Sequence, residues 1–142
     1  MTASAWAQDA VPSLKTQALA RAIARAEGFY VKGSVPNRFH NPGDIRAHSA
    51  HAYPGQVGLS KHGYVIFRSD ADGWMSLLAQ LEGMIERHSK NYNVNMTLLD
   101  FSHKYATSPT WVKNVSKILA VKKNTKMWEI LGEAPVLEES WV

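Results

Sequence analysis

The run from Ser69 to about His88 constrains the fold most. Ser69 is suited to cap a helix, Asp72 stands at its third position, and Trp74, Leu77, Leu78, Leu81, Met84 and Ile85 recur at helical spacing as a wide apolar stripe. A stripe that broad has to be covered by other elements, so this segment is expected to be the core helix. Ser13 or Thr16 can cap another helix running to about Phe29, with Leu19, Ala22, Ile23 and Ala26 on one face and Gly28 near its end. Thr97 opens a short helix through Leu98, Leu99, Phe101 and Tyr105, and Asn91 to Asn95 form the connection before it. Ser108-Pro109 starts the next helix, whose Trp111, Val112, Val115, Ile118 and Leu119 repeat up to Val121. Thr125 to Leu131 adds a last short helix stopped by Gly132.

The stretch from Val31 to Ser60 behaves differently. It is rich in Gly, Pro, Asn, His and Ser, and Pro36, Pro42 and Pro54 interrupt any regular element, so it reads as loop with little strand. Pro42-Gly43 suits the centre of a type II turn that would hold Asn41 and Asp44 close together. Tyr64-Val65-Ile66-Phe67, preceded by the turn Lys61-His62-Gly63, predicts a small hairpin with Gln56 to Ser60. The fold class is therefore mainly α (α+β). A chain of 142 residues is long enough to bury roughly 70% of its unfolded surface in one core. One domain is expected over 13–132, between a disordered N-terminus, 1–12, and a tail, 133–142.

Composition narrows the function classes. With no cysteine, disulfides, thiol nucleophiles and thiolate metal sites are excluded. Lys plus Arg number 16 against 12 Asp plus Glu, a net charge of +4 that weakly favours anionic partners. Apart from Lys122, Lys123 and Lys126 the basic residues are scattered, whereas a nucleic-acid binder carries a continuous basic stripe, so no nucleic acid is expected. No run approaches the ~20 apolar residues of a membrane span. Ala5-Trp6-Ala7 before Gln8-Asp9 has the small-residue pattern of an export cleavage site, without the basic and apolar regions that precede one. It reads equally as an ordinary disordered start.

Glu27 lies four residues beyond Ile23 and eight beyond Leu19, on the side of its helix that the apolar residues bury. Burial disfavours the charged carboxylate and moves its pKa toward neutrality, which makes Glu27 a candidate general acid. The same position also suits a partly solvated helix-end residue or a partner for a nearby arginine. His40, His48, His51 and His62 raise the question of a metal, but no His-Glu-x-x-His arrangement is present, and neither metal nor cofactor is expected.

Several short motifs then occur in a telling order. Ala22-Ile23-Ala24-Arg25-Ala26-Glu27-Gly28-Phe29-Tyr30 is followed by Pro36-Asn37-Arg38, then by Asn41-Pro42-Gly43-Asp44-Ile45-Arg46. Gly63-Tyr64-Val65-Ile66-Phe67 and Asp72-Gly73-Trp74 come next, and then Lys104-Tyr105-Ala106-Thr107-Ser108-Pro109 with Trp111-Val112-Lys113-Asn114-Val115. Over about Ala18 to Val121 this order resembles the lysozyme superfamily. More narrowly, it is similar to phage and bacterial peptidoglycan-cleaving domains, including flagellar muramidases and lytic transglycosylases.

The resemblance implies a lysozyme-like single domain with a catalytic helix, a small β-rich region between about Ile45 and Phe67, and a helical lobe. It implies that Glu27 protonates the leaving glycosidic oxygen, that Asn41, Asp44 and Arg46 line the cleft floor, and that Tyr64 and Tyr105 contact sugar. Peptidoglycan glycan strands would be the partner, of a monomer exported or phage-delivered to the periplasm or cell exterior. Tyr30 and Trp74 are expected in the core rather than the cleft. The transglycosylase Gly-Leu-Met-Gln is absent, and the flagellar Glu-Ser-Gly-Trp-Gly is reduced to Glu27-Gly28-Phe29. No second carboxylate stands at a fixed motif position; Asp44, Asp70 and Asp72 are the candidates, with Asp44 the first. Hydrolases use two carboxyls, about 5 Å apart for retention and further for inversion, whereas transglycosylases can use one glutamate as acid and then base. Both products stay open, as do a non-catalytic wall-binding or virion structural module and a chitin-directed hydrolase.

Overall fold

The computed structural model describes residues 11–47, 52–86, 92–106 and 108–135. The possible cleavage site at Ala5-Trp6-Ala7, the loop histidines His48 and His51, His88, Asn91 and most of the expected tail lie outside them. Among the described residues, six helices and a two-stranded antiparallel sheet follow in the order α1 Leu14–Ala26, α2 Val35–Arg38, β1 Gln56–Leu59, β2 Val65–Phe67, α3 Asp70–Glu86, α4 Leu98–Tyr105, α5 Pro109–Leu119 and α6 Met127–Leu131. The protein is thus mainly α with a small β component.

Local capping chemistry sets most starts. Ser13 accepts from the backbone N–H of Thr16 at the head of α1, and Ser69 does so from Asp72 at the head of α3. Thr97 and Asp100 form a reciprocal capping box on α4, and Ser108 caps α5 with Pro109 in its first turn. The short α2, capped by Ser34, falls inside the stretch expected to be loop. The last helix begins at Met127 rather than Thr125. Leu98 and Leu99 donate backbone hydrogen bonds to the carbonyls of Thr125 and Lys123, which holds the turn there against the start of α4.

Leu19, Ala20, Ala22, Ile23 and Ala24 make α1 the centre of the core, and it packs against α3, α5 and α6. Leu77, Leu81 and Met84 of α3 are buried, while Trp74, Leu78 and Ile85 pack partly buried around them. Phe101, Trp111, Val112, Val115, Met127, Ile130 and Leu131 complete one continuous cluster. Tyr30 differs from expectation: its ring meets Phe29 and Trp74 edge-on or tilted but remains 51% exposed, because it follows the end of α1 and leaves the core.

The hairpin pairs Gln56 with Phe67, Gly58 with Ile66 and Leu59 with Val65, with an irregularity between Gln56 and Gly58. On the far side of β2, Arg46 bridges Tyr64, and Val65 donates to the carbonyl of Ile45. The loop after Asn41 is therefore tied to β2 and through it to the core. Gly73 of α3 explains how closely the helix approaches: a Cβ there would collide with the carbonyl oxygen of His40, and Pro42 Cδ lies 2.7 Å from that point.

Candidate active site

Helix α1 ends with its apolar stripe at Ala26, three residues before the expected Phe29. Gly28 takes φ +84, its N–H donates to Arg25, and the N–H of Phe29 reaches back to Ala24, the paired bonds of a Schellman motif. Glu27 is thereby the last helical-type residue of the chain at this point, with φ −79 and ψ −8. A carboxylate at the carbonyl end of a helix sits against the unfavourable end of its dipole. One oxygen, Oε2, accepts a 2.8 Å hydrogen bond from the indole Nε1–H of Trp111 on α5. The Glu27 pKa is pushed up from 4.5 to about 7, chiefly by burial and then by the negative charge of Asp44, with the Trp111 hydrogen bond opposing both.

The turn that brings Asp44 to this place is built by Asn41. The Asp44 N–H donates to the Asn41 carbonyl at 3.0 Å, so the two residues are close, as the turn residues suggest. The turn is not type II, however: Gly43 has no positive φ, and the left-handed conformation falls on Asp44 at φ +50. Glycine is needed at 43 for space. A Cβ there would lie 2.9 Å from the Tyr105 hydroxyl and 3.0 Å from Leu77 Cδ1.

Asn41 itself is not a cleft residue. It is 0% exposed, its Nδ2 donates to the carbonyls of Ile45 and Val65, and its Oδ1 accepts from the Ile45 N–H. Its amide is consumed in joining the turn to β2, which corrects its expected role on the cleft floor.

A cavity of about 1360 Å³ opens between these elements. Glu27, Asp44, Arg46, Tyr64 and Tyr105 all line it, so five of the six residues singled out in the sequence converge. Asp44 Oδ1 is buried with no hydrogen-bond partner, and burial raises the Asp44 pKa against the pull of the Arg46 guanidinium. Arg46 Nη2 donates to the Tyr64 hydroxyl at 2.9 Å, and its guanidinium lies 4.6 Å from the centre of that ring. Tyr105 lines the cavity, but its hydroxyl is occupied by a 2.6 Å bond to the Gly43 carbonyl. Asp70 and Asp72 are excluded as partners of Glu27. They lie outside the cavity wall, Asp70 paired with His40 at 2.7 Å and Asp72 with Arg68 at 3.1 Å.

Other lining residues escaped the sequence reading. Trp111 entered it as helix packing and not as a partner for Glu27. Tyr53 with Gln80, whose amide donates to the Tyr53 hydroxyl at 3.2 Å, Lys104 over the ring of Tyr92, and Asn114 supply further polar and aromatic surface. Among the described residues, no three His, Cys, Asp or Glu side chains converge as metal ligands would, and no helix is long and apolar enough to cross a membrane.

A carboxyl with a pKa of about 7, a second carboxyl close enough to raise it, and a wall of aromatic rings and amides form a site able to hold and release a proton near neutral pH. No protein-family model, curated protein or solved structure matches the chain.

Proposed function

We propose that this protein cleaves the β-1,4 bond between N-acetylmuramic acid and N-acetylglucosamine in peptidoglycan, on a lysozyme-like fold, with Glu27 as general acid. The observation that carries the reading is the state of Glu27. Its carboxyl stands at the wall of a large cavity with a pKa of about 7, so near neutral pH a substantial fraction holds the proton an acid must donate. The cavity, about 1360 Å³, exceeds the roughly 300–1,000 Å³ typical of small-molecule pockets, as suits several linked sugar rings. Tyr64 and Tyr105 contribute aromatic wall against which sugar rings can pack, and Arg46, Gln80 and Asn114 offer donors to hydroxyl and acyl oxygens.

In the proposed step the Glu27 proton passes to the glycosidic oxygen as its bond to the anomeric carbon breaks. Positive charge develops on the sugar ring. Asp44 is the carboxyl in position to stabilise that charge or to assist an attacking water, because its charge is felt by Glu27 while Asp70 and Asp72 are engaged elsewhere. A nearby second carboxyl favours hydrolysis over the single-glutamate transglycosylase route. The excess of basic residues would assist approach to an anionic cell wall, where the protein would act after export or phage delivery.

Incubation of purified protein with peptidoglycan, followed by mass spectrometry of soluble products, tests the reading. Fragments with reducing ends are expected. Fragments with 1,6-anhydro ends would replace hydrolysis by transglycosylation. No soluble fragments would leave a wall-binding or structural module, and cleavage of chitin alone would redirect the substrate.

A further inference from the structure

One aromatic stack touches the Glu27 carboxyl and the backbone of the turn that carries Asp44. Phe101 and Tyr105 of α4 stack at 5.3 Å with 21° between their planes, and Tyr105 meets Trp111 of α5 at 5.4 Å and 33°. Trp111 is only 4% exposed, so its indole is held by this packing. From the stack, Trp111 Nε1–H reaches Glu27 Oε2, 84 positions away in sequence, and the Tyr105 hydroxyl reaches the Gly43 carbonyl, next to Asp44.

The chemistry of the indole gives this contact a direction. Indole N–H is a donor only and can never accept a hydrogen bond. Oε2 must therefore present a lone pair to it in both protonation states of Glu27. When the carboxyl is protonated, its carbonyl oxygen is a stronger acceptor than its hydroxyl oxygen, so the indole bond favours Oε2 as the carbonyl and the proton on Oε1. That oxygen makes no hydrogen bond to any described residue, and Glu27 lines the cavity.

We propose that Trp111 is a positioning residue that fixes the acidic proton of Glu27 on Oε1, the oxygen left free for a ligand, while Tyr105 in the same stack holds the Asp44 turn opposite. The use of that proton on a glycosidic oxygen rests on the function proposed above; its location does not. The same hydrogen bond strengthens when Glu27 ionises, because its acceptor then carries charge. It thus stabilises the carboxylate left after proton donation.

Few other groups act on this carboxyl. Asp44 faces it from the turn, with Arg46 beside Asp44, and Tyr105 faces it from α4. Burial and the two carboxyls push the Tyr105 hydroxyl well above its ordinary ionisation range, so it stays neutral. Near neutral pH the local charge change is that of Glu27.

The test follows the indole N–H of Trp111 and the side-chain carboxyl carbon of Glu27 by NMR across a pH titration, without substrate. In the wild-type protein the Trp111 Nε1–H resonance is expected to shift with the Glu27 midpoint, and in Glu27→Gln to lose that step. In Trp111→Phe, which keeps an aromatic ring and removes the donor, the Glu27 midpoint is expected about one pH unit higher. With peptidoglycan, kcat should fall about tenfold at unchanged KM, equivalent to one charge-assisted hydrogen bond. A Trp111 resonance indifferent to Glu27, or a Glu27 midpoint unchanged or lowered in a folded Trp111→Phe, would overturn the proposal. The wild-type titration decides the matter even where Trp111→Phe does not fold. Tracking of Glu27 by Trp111 in a protein that releases no wall fragments would support the proton placement and reject the glycosidase reading; release without tracking would do the reverse.

Discussion

Replacing Asn41 by alanine should unfold the site from beneath without removing any group from the cavity. The side chain is fully buried and makes three hydrogen bonds to backbone, at 3.0 and 2.9 Å to the carbonyls of Ile45 and Val65 and at 2.9 Å from the Ile45 N–H. At about 1 kcal/mol net for each bond the loss is about 3 kcal/mol, and it is weighted upward by the Ile45 N–H left without a partner in a dry site. The Ile45 carbonyl suffers less, since it also accepts from Val65. For a chain of this size, ~3 kcal/mol corresponds to a fall in Tm on the order of 10 °C. Asn41→Asp should be no milder despite its equal size, because it turns a double donor into an acceptor aimed at two carbonyls. Urea unfolding followed by tryptophan fluorescence gives the free energy directly. An Asn41→Ala protein within ~0.5 kcal/mol of wild type, yet unable to bind glycan, would refute the scaffold role and return Asn41 to the cleft floor.

Other expectations follow from the same geometry. The Glu27 pKa is raised from 4.5 to about 7 in the folded state, so the stability carried by its proton is complete below the unfolded value and is lost as pH rises through the folded one. Glu27→Gln should therefore melt with wild type at about pH 4 and above it at about pH 8 in calorimetry, and the opposite ordering would reject a buried, raised carboxyl. Asp44→Asn removes the charge that helps raise Glu27, so the Glu27 midpoint measured by NMR should move down from about 7. An upward move would mean that the two carboxyls do not interact through charge. Gly73→Ala forces a methyl against the His40 carbonyl and Pro42. It should lower thermal stability by overpacking, ~1–3 kcal/mol or more, and a neutral result would show that α3 does not press on the turn.

Much of the fold could be read in the chain because its causes are local. Ser13, Ser69, Thr97 and Ser108 each stand before an apolar stripe and each caps the helix that follows. The hairpin likewise follows from β-branched residues flanking a turn. What depended on distant backbone was not legible. The start of α6 falls later than expected because the residues before it pair with the start of α4, and the amide of Asn41 finds one of its partners on β2, 24 positions away. Glycine at 43 suggested a dihedral requirement, whereas the structure shows a steric one imposed by Tyr105. At the site, the apolar stripe of α1 was enough to mark Glu27 as unusual. The sequence already put Asp44 first among three aspartates, but setting Asp70 and Asp72 aside, and pairing Trp111 with Glu27, required the tertiary packing that engages those two elsewhere and carries α5 across the end of α1.

The most direct test of Glu27 as the acid is the initial rate of soluble fragment release from peptidoglycan across pH, for wild type and Glu27→Gln side by side. The wild-type rate should fall on the alkaline side as Glu27 loses its proton, with a midpoint near its pKa of about 7, and Glu27→Gln should release almost nothing at any pH. Equal release by the two proteins would contradict the assignment.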